Sequence, residues 1–122
     1  MAAGSMTITE KVSGTIKKIK ATWVASTGDA GTVSGTTTNR YDGRIIGVCT
    51  VPNANAPDDN YDIALNDTDG VDVALNALLN RDTANTEYVA EASMAGIAKS
   101  TITIAVTAAG SGNEGTIYIY IR

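Results

Sequence analysis

Few side chains in this sequence are of a type that does chemistry, and their spacing decides what each could do. Histidine is absent. Its loss removes the side chain that titrates nearest neutrality, and with it most acid–base, triad and metal chemistry. Cys49 is the single cysteine, so no intrachain disulfide can form. No histidine is present to activate its thiol. It lies in the apolar run 45–51, where a small buried hydrophobe is expected. One cysteine without histidine also makes a zinc site implausible.

The carboxylates are more numerous but poorly placed for catalysis. Asp58 and Asp59 are neighbours on a loop, whereas a glycosidase holds two carboxyls across a cleft. The stretch 66–72, Asn-Asp-Thr-Asp-Gly-Val-Asp, is the most metal-like, because carboxylates around a glycine turn can coordinate Ca²⁺. Read as an EF-hand loop, with Asp67, Asp69 and Gly70 at the third, fifth and sixth positions, it fails at both ends. Leu65 falls at the first position and Asn76 at the last. A turn built on aspartate side chains is the expected state of residues 67–72. No motif marks a Ser-Lys or paired-carboxylate mechanism. The chain is predicted to be no enzyme and to carry no cofactor.

Two clusters point to contacts instead. Lys17, Lys18 and Lys20 precede Trp23, the one place where basic and aromatic residues meet. On a strand, Lys18 and Lys20 share the face opposite Trp23, so the stacking platform of a single-strand nucleic-acid binder is not assembled. A solvated or edge-protecting face, or a contact with an acidic partner protein, remains. Tyr118 and Tyr120 alternate with Ile117, Ile119 and Ile121 and therefore share the face opposite that aliphatic row. Tyrosine is amphipathic and enriched at interfaces, so this face is expected at a subunit contact.

These side chains need a scaffold, and the composition says which. At 122 residues the chain is one domain, long enough to bury about two thirds of its unfolded surface. Phe is absent and Trp23 stands alone among five tyrosines. A core of Ile, Val, Leu and Ala in a Thr- and Gly-rich, Leu-poor chain favours strands. The net charge of −4 gives no basic footprint for nucleic acid and no attraction to anionic membranes. The N-terminus has neither a positive region nor an apolar stretch of the signal-peptide kind, and no run reaches the length of a membrane span. A soluble chain, or one joining an assembly in the cytoplasm, is expected.

Along the chain, residues 1–12 are small and polar and are expected to be an N-terminal arm that contacts a neighbouring subunit or docks on its own domain. Met6 and Ile8 would be its apolar contacts. Residues 13–122 form the domain. A strand over 13–26 places Ile19, Ala21, Trp23 and Ala25 on one face, with Ile16 out of phase. Residues 32–38 suit a wet edge strand. Residues 44–51 are apolar on both faces through Ile45, Ile46, Val48 and Cys49, as in a strand buried on both sides. Tyr61, Ile63 and Leu65 mark another strand face. Val71, Leu75, Leu78 and Leu79 match helical spacing while Val71, Val73, Leu75 and Ala77 match a strand; a short helical turn over 73–79 is chosen. Residues 87–90 and 92–99 are read as extended. Two alternating runs around the loop 110–115 then read as a terminal β-hairpin. The sum is an all-β fold, an antiparallel β-sandwich or jelly-roll-like barrel of about six to eight strands with at most one short helix.

Several segments together resemble small virion proteins of tailed bacteriophages and prophages. They are Thr22-Trp23, the stretch Tyr41-Asp-Gly-Arg-Ile-Ile, and Pro52 with a loop into Tyr61-Asp-Ile-Ala-Leu-Asn-Asp. They continue with Asp69-Gly-Val-Asp-Val, Asn80-Arg-Asp-Thr and the terminal Gly-Thr-Ile-Tyr-Ile-Tyr-Ile-Arg. The resemblance spans about 23–122 and carries no active-site motif. It implies a structural role like that of head-decoration proteins, which oligomerise on the major capsid protein or other virion components and stabilise the shell. Under that implication the chain forms a homo-oligomer, a trimer first, in a virion assembled in the bacterial cytoplasm. Met6, Ile8, Lys18, Lys20, Tyr118 and Tyr120 become the oligomer or capsid contacts. The rival implication is a tail- or fibre-associated adhesion module, binding a host glycan or receptor through the loops 53–60 and 80–86.

Overall fold

The computed structural model describes residues 3–28, 30–90 and 94–122. It is all-β: nine strands in two antiparallel sheets stacked as a sandwich, with no helix among the described residues. The strands are β1 (Ser5–Ser13), β2 (Ile16–Val24), β3 (Val33–Thr36), β4 (Tyr41–Pro52) and β5 (Asp62–Asn66). They continue with β6 (Glu87–Ala90), β7 (Gly96–Ser100), β8 (Thr103–Thr107) and β9 (Glu114–Ile121). The larger sheet runs β1-β2-β9-β4, and the far edge of the long β4 is shared by β6 and β7. The smaller sheet runs β3-β8-β5. It is not a closed barrel, and the strand count exceeds the six to eight expected.

The core lies where the two inner faces meet. Ile19, Ala21 and Trp23 of β2, Ile117, Ile119 and Ile121 of β9, and Ile45 and Val48 of β4 come from one sheet. Val33, Ile63, Leu65, Ile104 and Val106 come from the other. Each fully buried aliphatic side chain contributes about 1.5–3 kcal/mol through its removal from water. Trp23 meets Tyr61 across the sandwich, ring centroids 5.7 Å apart and tilted by 52°. Trp23 fits because its cross-strand partner on β9 is Gly115. A Cβ there would fall 2.5 Å from a Trp23 ring carbon.

The expected terminal hairpin is not formed. β8 pairs with β3 and β5, β9 with β2 and β4, so the two alternating runs belong to opposite sheets. The connection 108–113 crosses between the layers, with Asn113 Nδ2 donating to Ala109 O at 2.8 Å. Both runs do put their aliphatic rows inward, but they face each other across the core instead of lying side by side.

The N-terminal segment takes the second of its two expected states, docked on its own domain. Residues 5–13 are an edge strand of the larger sheet, paired with β2 from Ser5↔Val24 to Ser13↔Ile16. They are not an arm that leaves the domain. The chain reverses at Gly14-Thr15, and Gly14 has φ 59°. Glycine first in a two-residue turn is the chemistry of a tight hairpin. The pairing is regular from Ile16 onward, so by alternation Ile16 falls on the side of Lys18 and Lys20.

In β4 the expectation of burial on both faces gives way to a bulge. The pairing with β9 shifts register between Ile45 and Gly47. The extra residue lets both Ile45 and Val48 point inward, and Ile46 and Cys49 are half-buried on the outer side. The β3 edge position and the Tyr61/Ile63/Leu65 face follow the sequence pattern. Of the strand expected over 92–99, residues 92 and 93 lie outside the described residues, Met94 and Ala95 are not in a strand, and β7 begins at Gly96.

The helical turn over 73–79 is absent; the segment is a series of turns. Asp72 organises them. Its Oδ1 accepts from Leu65 N and Ala74 N, both at 3.0 Å, and its Oδ2 from Asn76 N at 3.0 Å. Leu75 and Asn76 take positive φ, which a helix does not allow. Val73, Ala74 and Leu78 are buried, while Val71, Leu75 and Leu79 stay exposed.

Candidate interaction face on the outer side of the larger sheet

Strand alternation that buries Ile19, Ala21, Ile117 and Ile119 forces the residues between them outward. The registers then set those outward residues in two rows across the sheet. One row runs Lys11, Lys18, Tyr120, and the next runs Thr9, Lys20, Tyr118, Cys49, Tyr88. The structure thus brings together Lys18, Lys20, Tyr118 and Tyr120, which the sequence placed only on separate strands. Lys18 Nζ lies 5.1 Å from the Tyr118 ring centroid and 5.9 Å from that of Tyr120, and Lys20 Nζ lies 5.8 Å from Tyr118.

Ammonium groups over tyrosine faces gain about 0.5–1 kcal/mol each at exposed sites. That gain works against a cost. Lys11 and Lys18 are direct cross-strand neighbours, and like charges so placed repel. Among the described residues none of Lys11, Lys18 and Lys20 makes an ion pair; the described ion pair is Arg81–Glu87, at 3.6 Å. Thr9, Lys11, Lys18, Lys20 and Tyr118 line a depression of about 260 Å³. The lysines and Tyr88 are exposed, and Tyr118 and Tyr120 are half-buried. Burial raises the pKa of Tyr120, and the neighbouring Cys49, Tyr118 and Tyr88 add to the rise. The phenol is therefore a neutral hydrogen-bonding group near neutral pH.

No family model matches the chain. Comparisons with curated proteins and with solved structures gave no match either. What the face can do is therefore argued from its residues.

Met6 and Ile8 are not on this face. They point to the other side of β1, where they pack on the core edge beside Gly35 of β3. Glu10 follows them there. Its carboxylate accepts from Tyr41 Oη at 2.6 Å, Thr38 N at 3.0 Å and Asn39 N at 3.1 Å. Lys17 is also elsewhere, donating to Asp42 O at 2.9 Å. Cys49 is half-buried in the outer row, not in the core.

The metal-like stretch is a pair of turns. Asp67 Oδ1 accepts from Asp69 N and Val71 N, both at 2.9 Å, and both Asp72 oxygens are taken by backbone N–H groups. Among the described residues no group of three or more His, Cys, Asp or Glu side chains is placed to hold a metal ion.

Sequence reasoning missed Thr9, Lys11 and Tyr88 as members of the face. The signal for the first two was present. Reading Gly14-Thr15 as a two-residue hairpin turn sets Lys11 opposite Lys18 and Thr9 opposite Lys20.

Proposed function

We propose that the chain is a structural virion protein of a tailed phage, a capsid decoration protein that docks through the outer face of its larger sheet. One observation carries the docking: Lys18, Lys20, Tyr118 and Tyr120 lie together on a rigid sheet face with no ion-pair partner among the described residues. Tyrosines supply amphipathic contact area at little entropic cost, and the lysines steer encounter with a surface of opposite charge. The assignment to a virion rests on the resemblance of residues 23–122 to accessory virion proteins. Binding the assembled shell in preference to its free subunits would stabilise the shell by mass action. The partner is a major capsid protein or another virion protein, and the chain joins it as a homo-oligomer, a trimer under this reading.

Removing residues 1–12 would strip an edge strand and the Glu10 contacts, so truncation cannot separate docking from folding. The double substitution Lys18→Glu/Lys20→Glu can, because both side chains are exposed. Purified particles made with it should lose most of the chain while the free protein keeps its fold. Undiminished occupancy would refute docking through this face.

A second reading, a tail-associated adhesion module, is favoured by one observation. The loops 53–60 and 80–86 meet, with Asn60 N donating to Arg81 O at 2.9 Å and Thr83 N to Asp59 Oδ1 at 3.3 Å. Copy number per particle separates the two: many copies over the head mean decoration, a few at the tail tip mean adhesion.

A further inference from the structure

We propose that the depression between β1, β2 and β9 binds a carboxylate-rich extended segment of a partner protein. The proposal rests on the docking role of this face and names the chemistry of what docks. Lys11, Lys18 and Lys20 occupy adjacent outward positions on β1 and β2, mutually repulsive and without a carboxylate in ion-pair range among the described residues. In a chain of net charge −4, such a cluster is a local reversal of the overall field. A ligand with several negative charges relieves the repulsion that the fold leaves in place.

Three features select acidic side chains over a phosphoryl group. The face is built of strand surface, and no turn of backbone N–H groups lines the depression, so the usual concave cradle for phosphate is not there. It holds lysines and no arginine, hence point charges without the planar fork that grips phosphate. The lysines are spread across two strands instead of converging on one atom, which suits successive carboxylates along a chain. The Tyr118 ring already holds the Lys18 and Lys20 ammonium groups near it. Less side-chain freedom is then lost on binding.

The test titrates the full chain with a short poly-glutamate peptide, followed by amide chemical shifts and calorimetry. Poly-glutamine and inorganic phosphate serve as controls. Poly-glutamate should shift the amides of Thr9, Lys11, Lys18, Lys20 and Tyr118, and its affinity should fall steeply as salt rises. Lys18→Gln/Lys20→Gln should weaken it roughly tenfold or more, as expected for paired charges, while Lys18→Arg/Lys20→Arg retains it. Equal binding of poly-glutamine, tighter binding of phosphate, or indifference to the glutamine substitutions would each overturn the proposal. Peptide binding by a chain that virions do not carry would support the site and refute the virion role. Virions that carry the chain, with no peptide binding, would refute the site and leave the virion role standing.

Discussion

The Tyr41 hydroxyl donates a 2.6 Å hydrogen bond to Glu10 Oε1, and this contact ties the edge strand β1 to the start of the long strand β4. Burial alone would raise the Glu10 pKa, but the bonds from Tyr41, Thr38 and Asn39 outweigh it and hold the carboxyl below its usual value. Burial and the nearby carboxylate push the Tyr41 phenol well above its ordinary range. A depressed carboxyl contributes stability above its unfolded pKa, about 4.3, that is lost as pH falls through the folded value. A raised phenol contributes stability below about pH 10 that is lost as pH rises beyond it. Urea unfolding of the parent should therefore weaken at both extremes. Glu10→Gln should flatten the acid limb and Tyr41→Phe the alkaline limb.

At neutral pH Tyr41→Phe should itself cost about 1.5–3 kcal/mol, the range for a hydrogen bond to a charged group. Chemical denaturation with an unchanged m-value would show it. A loss under 0.5 kcal/mol would mean the contact is incidental.

Asp72 predicts a second sensitivity. Asp72→Ala removes the acceptor of three backbone N–H groups and should cost about 1–3 kcal/mol. Asp72→Asn keeps one acceptor oxygen and should cost less. Faster amide exchange over 73–78 in the alanine variant would locate the effect.

Gly115→Ala should be disruptive although alanine is small. Its Cβ would press on the Trp23 ring, and overpacking of this kind costs about 1–3 kcal/mol. Trp23 is the one tryptophan, so its fluorescence reports the site directly. An unchanged emission maximum and an unchanged melting temperature would contradict the packing described.

Lys18→Ala should leave the fold almost untouched, with a loss near or below 1 kcal/mol from the ring contacts. A larger loss in thermal melts would show that the face is structural and would weaken its assignment to docking.

How much was legible is clearest at particular residues. Period-two alternation gave the inward faces of Ile19–Ala21–Trp23, Tyr61–Ile63–Leu65 and Ile117–Ile119–Ile121, because burial of one face imposes that period. The same alternation carried the outward pairs Lys18/Lys20 and Tyr118/Tyr120. It could not say that β2 and β9 are neighbours, and hence that the lysines would lie over the tyrosines. Residues 71–79 misled because apolar spacing does not register a side chain such as Asp72 competing for backbone N–H groups.

The sequence by itself determined an all-β fold, the aliphatic rows of its core and the absence of histidine chemistry. Only the tertiary structure decided that β8 and β9 part into opposite sheets, that residues 5–13 complete the larger sheet, and that Lys11, Lys18 and Lys20 gather beside Tyr118. The reason is physical. Alternation records which face of a strand avoids water, a local property, whereas pairing depends on which distant strand best matches that face, and no single run of residues encodes its neighbour.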